Sequence, residues 1–289
     1  MTLNSYNAES NPLLHSAFYR FVELTDIDEV ARWLRKLSLN VLGSILVAPE
    51  GINGVLAGPA DDLDVFERAL QCDGRFAGIV FKRSHCTTPP FARMKVHCKS
   101  EIVSIGVPVD VLVDAPVDTA DVADVVHRPV GTRVSPQAWR ELMAQDDVVV
   151  LDNRNAFEFR LGRFKSALNP NVENFRDFPD FVRAQAPAWK AAGQRVAMYC
   201  TGGIRCEKTS AWMHSLGLDV YELDGGILNY FQALPDAQRE WEGECFVFDN
   251  RIALNTQLQE TATTAEDVYA DSPDDAWRLM RARRLDAAG

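Results

Sequence analysis

The chain has 289 residues, enough for about two domains, and its 47% hydrophobic and 25% charged content is that of an ordinary soluble globular protein. No apolar run approaches the roughly 20 residues a membrane helix needs, and the first residues lack the basic start and apolar core of a secretory signal. A net charge of −11 lowers the expectation of nucleic-acid binding by the whole surface, and six sparse, irregular cysteines exclude a disulfide scaffold and point to a reducing, cytoplasmic setting.

From residue 17 short apolar runs alternate with amphipathic stretches. AFYRFVEL (17–24) reads as a strand, and DIDEVARWLRKLSLN (26–40) has apolar residues at helical spacing. VLGSILVAP (41–49) and GINGVLAG (51–58) read as two strands about a tight turn, ADDLDVFERALQ (60–71) as a helix with an acidic start, and GIVFKRSH (78–85) as a strand. EIVSIG (101–106) extends this strand or adds another. The order β-α-β-β-α-β predicts a ferredoxin-like, acylphosphatase-like domain over 15–107, with two helices on one face of an antiparallel sheet.

The Val/Asp/Pro-rich stretch 108–131 reads as a linker. A second α/β unit is expected over 132–247. It opens with Ser135-Pro136 as helix N-cap and N1. DVVVLDNR (147–154) and QRVAMYC (194–200) look like buried parallel strands, FRDFPDFVRAQA (175–186), CEKTSAWMHSLG (206–217) and ILNYFQAL (227–234) like helices, and LDVYELDGG (218–226) like a strand and turn. Such alternation predicts a parallel sheet with helices on both faces, where ligands bind at the carboxyl ends of strands. Residues 248–289 read as a polar tail with one short helix at 274–285.

Cys200 stands at one of those strand ends, in YCTGGIRCEK. A strand–loop–helix places its thiol among backbone N–H groups and before the positive end of a helix, both of which favour thiolate. Gly202 and Gly203 let the loop curl with its N–H groups inward, and Arg205 adds a fixed positive charge at the rim. Four residues, Thr201, Gly202, Gly203 and Ile204, separate Cys200 from Arg205. Tyrosine phosphatases place five there, so this tighter cradle suits a sulfur or oxygen carried on the thiolate rather than a phosphate. The spacing resembles the rhodanese active-site loop. A buried, inert cysteine in an ordinary turn is the plain alternative.

Other residues invite chemistry. Cys206 is a candidate redox partner that would resolve an oxidised Cys200. The pairs His85-Cys86 and His97-Cys98 suggest metal, but neighbours on a strand point to opposite faces, so no metal site is expected. Residues 82–99 carry Lys82, Arg83, Arg93, Lys95 and Lys99 without an acid. Lys82, Arg83, Arg93 and Lys95 are candidates for holding RNA phosphates, or else charges guarding a sheet edge. Asp152, Arg154 and Glu158 form part of a site rim or a structural pair, and Asp224 is expected to cap the helix after it.

Several motifs in order, APEGINGVLAG, KSEIVSIG, LDNRNAFEFRLGRFKSALNP, CTGGIRCEK, DGGILNY and GECFVFDNR, resemble the rhodanese-domain tRNA uridine hydroxylases from about residue 17 to about 256. The resemblance implies a C-terminal rhodanese domain and hydroxylation of the tRNA wobble uridine at carbon 5 with molecular oxygen as co-substrate. It implies Cys200 as the essential residue and tRNA as the partner; no further cofactor, membrane association or obligate protein partner is evident from the sequence. Many relatives carry a cysteine-rich C-terminal extension; no cysteine follows Cys245 here. Two other readings stay open on the loop alone: a thiosulfate or persulfide sulfurtransferase, and a non-catalytic RNA-binding scaffold.

Overall fold

A computed structural model describes residues 13–87, 89–105, 131–270 and 272–286. The chain divides into two compact units, one reaching to Val103 and joined by Phe248–Arg251, the other running from Ser104 to Val247 and onward from Ile252. The stretch 108–131 expected as linker lies, apart from Gly131, outside the described residues.

In the first unit, β1 (Leu13–Phe21), α1 (Ile27–Leu37), β2 (Leu42–Ala48), β3 (Gly51–Pro59), α2 (Ala60–Cys72), β4 (Lys82–His85) and β5 (Met94–Cys98) follow one another. The sheet order is β4-β1-β3-β2-β5, antiparallel except for the parallel β2/β5 pair. Alternation sends Phe18, Ile45, Val47, Ile52, Leu56 and Val96 to one face. There they meet Val30 and Leu34 of α1 and Leu63, Phe66 and Leu70 of α2 in a single core. The fifth strand is MKVHC, not the EIVSIG segment. Around Ile102 the backbone is satisfied by side chains instead of a ladder: its N–H donates to Glu50 Oε1 (2.7 Å), and its carbonyl accepts from Asn53 Nδ2 (3.2 Å). The strand expected at 78–85 is shorter, covering Lys82–His85 alone.

Phe248–Arg251 belongs to this unit through buried polar contacts. Arg251 donates to both carboxylate oxygens of Asp249 (2.8 and 2.7 Å), and Asp249 lies 3.7 Å from the imidazole of His15.

The second unit contains β6 (Thr132–Val134), α3 (Pro136–Met143), β7 (Val148–Asp152), α4 (Ala156–Leu161), β8 (Gly162–Phe164), α5 (Phe178–Ala191), β9 (Arg195–Tyr199), α6 (Ile204–Ser215), β10 (Asp219–Leu223) and α7 (Gly226–Ala233). Short β11 (Trp241–Gly243), β12 (Cys245–Phe246) and β13 (Ala253–Leu254) lead to α8 (Ala265–Tyr269) and α9 (Ala276–Asp286). The main sheet, β6-β10-β9-β7, is parallel throughout. Val150, Ala197 and Tyr199 face α3 and α7 in one core with Trp139, Ile227 and Tyr230. Met198 points the other way, its sulfur against Thr209 of α6, so helices cover both faces.

The polar C-terminal stretch is not a loose tail. Ala265, Val268 and Tyr269, at helical spacing, bury themselves against Phe157 and Phe246. Asp275 is fully buried, receiving Arg160 and Arg278. These apolar contacts and the buried ion pairs together anchor a segment whose composition reads as solvated. No helix among the described residues is long and apolar enough to cross a membrane.

Candidate active site

Strand β9 lies inside its sheet and delivers Cys200 at its carboxyl end. The loop then turns through Gly203, whose φ of +97° is left-handed, directly into α6. Only a residue free of the Cβ penalty takes that turn readily. Gly202 differs: a β-carbon there would meet nothing within 4 Å. Of the two glycines expected to shape the curl, Gly203 does so through its left-handed backbone, and Gly202 has room for a β-carbon. The helix begins at Ile204, two residues earlier than the sequence reading, so Arg205 and Cys206 sit in its first turn.

Hydrogen bonds converge on the Cys200 sulfur. The Gly203 N–H donates at 3.1 Å, and the N–H groups of Arg205 and Cys206 and the S–H of Cys206 donate as well. Burial alone would raise this thiol. The Cys206 hydrogen bond, the Arg205 charge and the two helix N–H groups outweigh it and bring Cys200 down to about 6. Cys206 moves in the opposite sense. Burial, its hydrogen bond to Cys200 and the negative charge there hold it well above the ordinary thiol range. The pair is therefore one thiolate and one neutral thiol.

The loop is held from behind by the second Gly-Gly-Ile of the sequence. The carbonyls of Cys200 and Thr201 accept from the N–H groups of Ile227 (3.0 Å) and Leu228 (3.2 Å) in the first turn of α7. With the carbonyl oxygens tied outward, the N–H groups face the sulfur. Gly225, not Asp224, caps α7; the Asp224 carbonyl accepts from Asn229 Nδ2 at 2.8 Å. The sequence reading treats this segment as a mere turn and helix start. Its signal was the repeat of Gly-Gly-Ile without a nucleophile.

Arg205 is not a rim residue. Its guanidinium is buried and grips Glu158 with two hydrogen bonds (2.9 and 3.1 Å). Glu158, fully buried on α4, also accepts the Asn155 N–H (3.1 Å) and the Thr201 hydroxyl (3.5 Å). Arg205 thus acts on the thiolate through its charge while Glu158 fixes its position. Asp152 and Arg154 form a separate, wholly buried ion pair, with Arg154 also donating to the Gly162 carbonyl (2.6 Å). Glu222 is a carboxyl that sequence reasoning did not single out. Burial pushes it up to about 7 despite Arg133, and its charge acts on Cys206. Nothing in the spacing of β10 marks it out; only the fold brings it near the loop.

The basic residues of the first unit do not form one cluster. Lys82 and Arg83 lie on β4 and Lys95 on β5, at opposite edges of the sheet, with Arg93 just before β5. Arg83 is engaged by Glu67 (2.8 and 3.0 Å) and Asp64, so two carboxylates offset its charge. Lys82 stands over the Tyr19 ring at 5.6 Å. The two His-Cys pairs fall on the same opposite edges and do not converge.

Known proteins place this arrangement. Residues 14–102 match the UPF0176 acylphosphatase like domain and residues 135–233 the rhodanese-like domain. A tRNA uridine(34) hydroxylase from Synechococcus elongatus is 46% identical over 245 residues, covering 84% of this chain and 85% of the relative. One from Legionella pneumophila is 39% identical over 266 residues, covering 91% and 96%, and one from Jannaschia is 42% identical over 248, covering 85% and 77%. With an acylphosphatase-like domain, a rhodanese-like domain and this extent of identity, the chain belongs to the tRNA uridine(34) hydroxylase family.

Proposed function

We propose that this protein hydroxylates uridine 34 of tRNA at carbon 5, with molecular oxygen as co-substrate and Cys200 as the reacting group. The observation that carries the reading is the convergence of N–H donors on a buried sulfur held as thiolate, in a chain of this family. Uracil accepts a sulfur nucleophile at carbon 6, and carbon 5 then has enolate character and attacks an electrophilic oxygen. A thiolate at neutral pH supplies that nucleophile. The loop N–H groups and the Arg205 charge stabilise the anion on sulfur before and after the addition. A wobble base belongs to a single-stranded loop, so it reaches an enclosed sulfur without the cost of leaving a duplex.

In this reading tRNA is the partner and the cytoplasm the compartment. Lys82, Arg93 and Lys95 are the backbone-contacting candidates, and their substitution should flatten the salt dependence of tRNA binding. An unchanged slope would remove them from that role.

The cradle would equally hold a sulfur carried on Cys200, which keeps a sulfurtransferase as the second reading. Nucleoside mass spectrometry separates the two. tRNA from a deletion strain should lack 5-hydroxyuridine derivatives, regain them with the wild-type gene and not with Cys200→Ser. Loss of thiosulfate-dependent sulfur transfer with unchanged 5-hydroxyuridine would favour the second reading.

A further inference from the structure

We propose that Cys200 and Cys206 are together the electron source of the hydroxylation, closing to a disulfide once in each turnover. The inference rests on the hydroxylase reading and adds what that reading leaves open, the fate of the second oxygen atom.

Two atoms of Cys206, its N–H and its S–H, already donate to the Cys200 sulfur. Both side chains are buried, at 1% and 0% exposure, and the Cys206 thiol already meets the Cys200 sulfur, so it is the first thiol an oxidised Cys200 encounters. The sulfurs need to close by only on the order of 1–2 Å to pass from hydrogen-bond to bond distance. Cys245 is also buried near the loop, but its S–H is directed to the Phe246 carbonyl at 3.7 Å. Cys206 is therefore the resolving group.

The chemistry balances with dioxygen as oxidant. Dioxygen takes up four electrons: two from carbon 5 as its C–H becomes C–OH, and two from Cys200. Carbon 5 of the Cys200 adduct bonds to dioxygen and, with a proton, becomes a hydroperoxide. Loss of the carbon-5 proton restores the ring double bond and breaks the carbon-6–sulfur bond, freeing the thiolate. The thiolate takes the distal oxygen as the O–O bond breaks, and the oxygen left on carbon 5 takes up a proton. The net change is thiolate, one proton, dioxygen and the uridine C–H giving C–OH and a Cys200 sulfenic acid. The Cys206 sulfur then attacks the Cys200 sulfur, the S–O bond breaks, and the hydroxyl leaves with the Cys206 proton as water. The sum is uridine, dioxygen and two thiols giving 5-hydroxyuridine, water and one disulfide. An external dithiol reductant restores the pair by thiol–disulfide exchange. Cys206 is well placed as the second partner because its proton is already directed at the site where the leaving oxygen forms.

The test is a stoichiometry. Fully reduced protein, freed of reductant, is mixed with unmodified tRNA in air. The expected yield is one 5-hydroxyuridine per chain, with an equal amount of Cys200–Cys206 disulfide. Tryptic cleavage after Arg205 separates the two cysteines, so the disulfide appears as two joined peptides. Cys245→Ala should leave this unchanged. Cys206→Ser and Cys206→Ala should still complete the first turnover but accumulate a dimedone-trappable Cys200 sulfenic acid. With a dithiol reductant their steady-state rate should fall at least tenfold. Product formed by wild type without thiol loss, or a Cys206→Ser enzyme cycling at the wild-type rate, overturns this inference while leaving the hydroxylase reading intact. Absence of 5-hydroxyuridine from the wild-type reaction overturns both.

Discussion

Gly226 lies so close beneath Cys200 that a β-carbon on it would stand 2.4 Å from the Cys200 carbonyl oxygen. The same residue has φ of +70°. Both constraints come from one function, bringing the first turn of α7 close enough to hold the loop carbonyls. Gly226→Ala is therefore expected to cost about 1–3 kcal/mol in strain and to displace the loop. Urea unfolding measures the first effect, and 5-hydroxyuridine formation, expected to fall at least tenfold, measures the second. Gly202→Ala, with open space around its β-carbon, should unfold like wild type. A Gly226→Ala enzyme with wild-type stability and rate would show that the close approach is dispensable.

The thiolate state of Cys200 predicts a pH profile. Its proton is lost near pH 6, so the thiolate fraction, and activity with it, rises through that value and stays high to neutral pH and above. The difference in far-ultraviolet thiolate absorbance between wild type and Cys200→Ser should titrate with that midpoint. Cys206→Ala removes a donor to the sulfur and should move the midpoint upward. A midpoint at the ordinary thiol value would mean that the N–H groups do not stabilise the anion.

The Arg205–Glu158 pair predicts an asymmetric response. Glu158→Gln leaves a buried guanidinium without its counter-charge, and breaking such a pair costs about 3–5 kcal/mol. The double variant Glu158→Gln/Arg205→Met removes the stranded charge and should recover stability. It should not recover activity, because the charge beside the thiolate is gone. Additive losses of stability in the two single variants and the double would show that the two side chains do not act as a pair.

In the first unit, burial, reinforced by the Arg251 guanidinium and partly offset by Asp249, pushes His15 down to about 4 from its ordinary 6.5. Between those values the unfolded chain binds a proton that the folded chain refuses. Stability should then fall as pH drops from about 6.5 towards 4 and be unaffected by this group below that range, a loss of about 3 kcal/mol. His15→Leu should flatten that part of the urea-unfolding profile. Equal slopes for the two proteins would remove His15 as the cause.

The loop was legible because its chemistry is local. A cysteine at the end of an apolar run, two glycines, an arginine and a helical pattern lie within ten residues, and each has a direct physical meaning. Residues 41–49 and 51–58 were legible as a hairpin for the same reason. What could not be read depends on distant partners. MKVHC has too few apolar residues to look like a strand and is one because β2 offers it an edge. EIVSIG has the right composition, but the N–H and carbonyl of its Ile102 are taken by the Glu50 and Asn53 side chains. Glu222 approaches the loop only through tertiary packing, twenty-two residues after Cys200 in the chain, and Glu158, a rim candidate from the sequence, shows its hold on Arg205 only in the fold. Arg83 reads as a free cation until α2 places Glu67 and Asp64 against it.

The two-sided anchoring of the loop also bears on how this scaffold can change its substrate. The Cys200 and Thr201 carbonyls are held by α7 and the Gly203, Arg205 and Cys206 N–H groups by one sulfur atom, which leaves those backbone groups little capacity to tell one base from another. Reactivity and discrimination are then housed in separate parts of the molecule. Surfaces around the mouth could drift towards a different nucleoside, or a different polymer, while the sulfur kept its temperament unchanged.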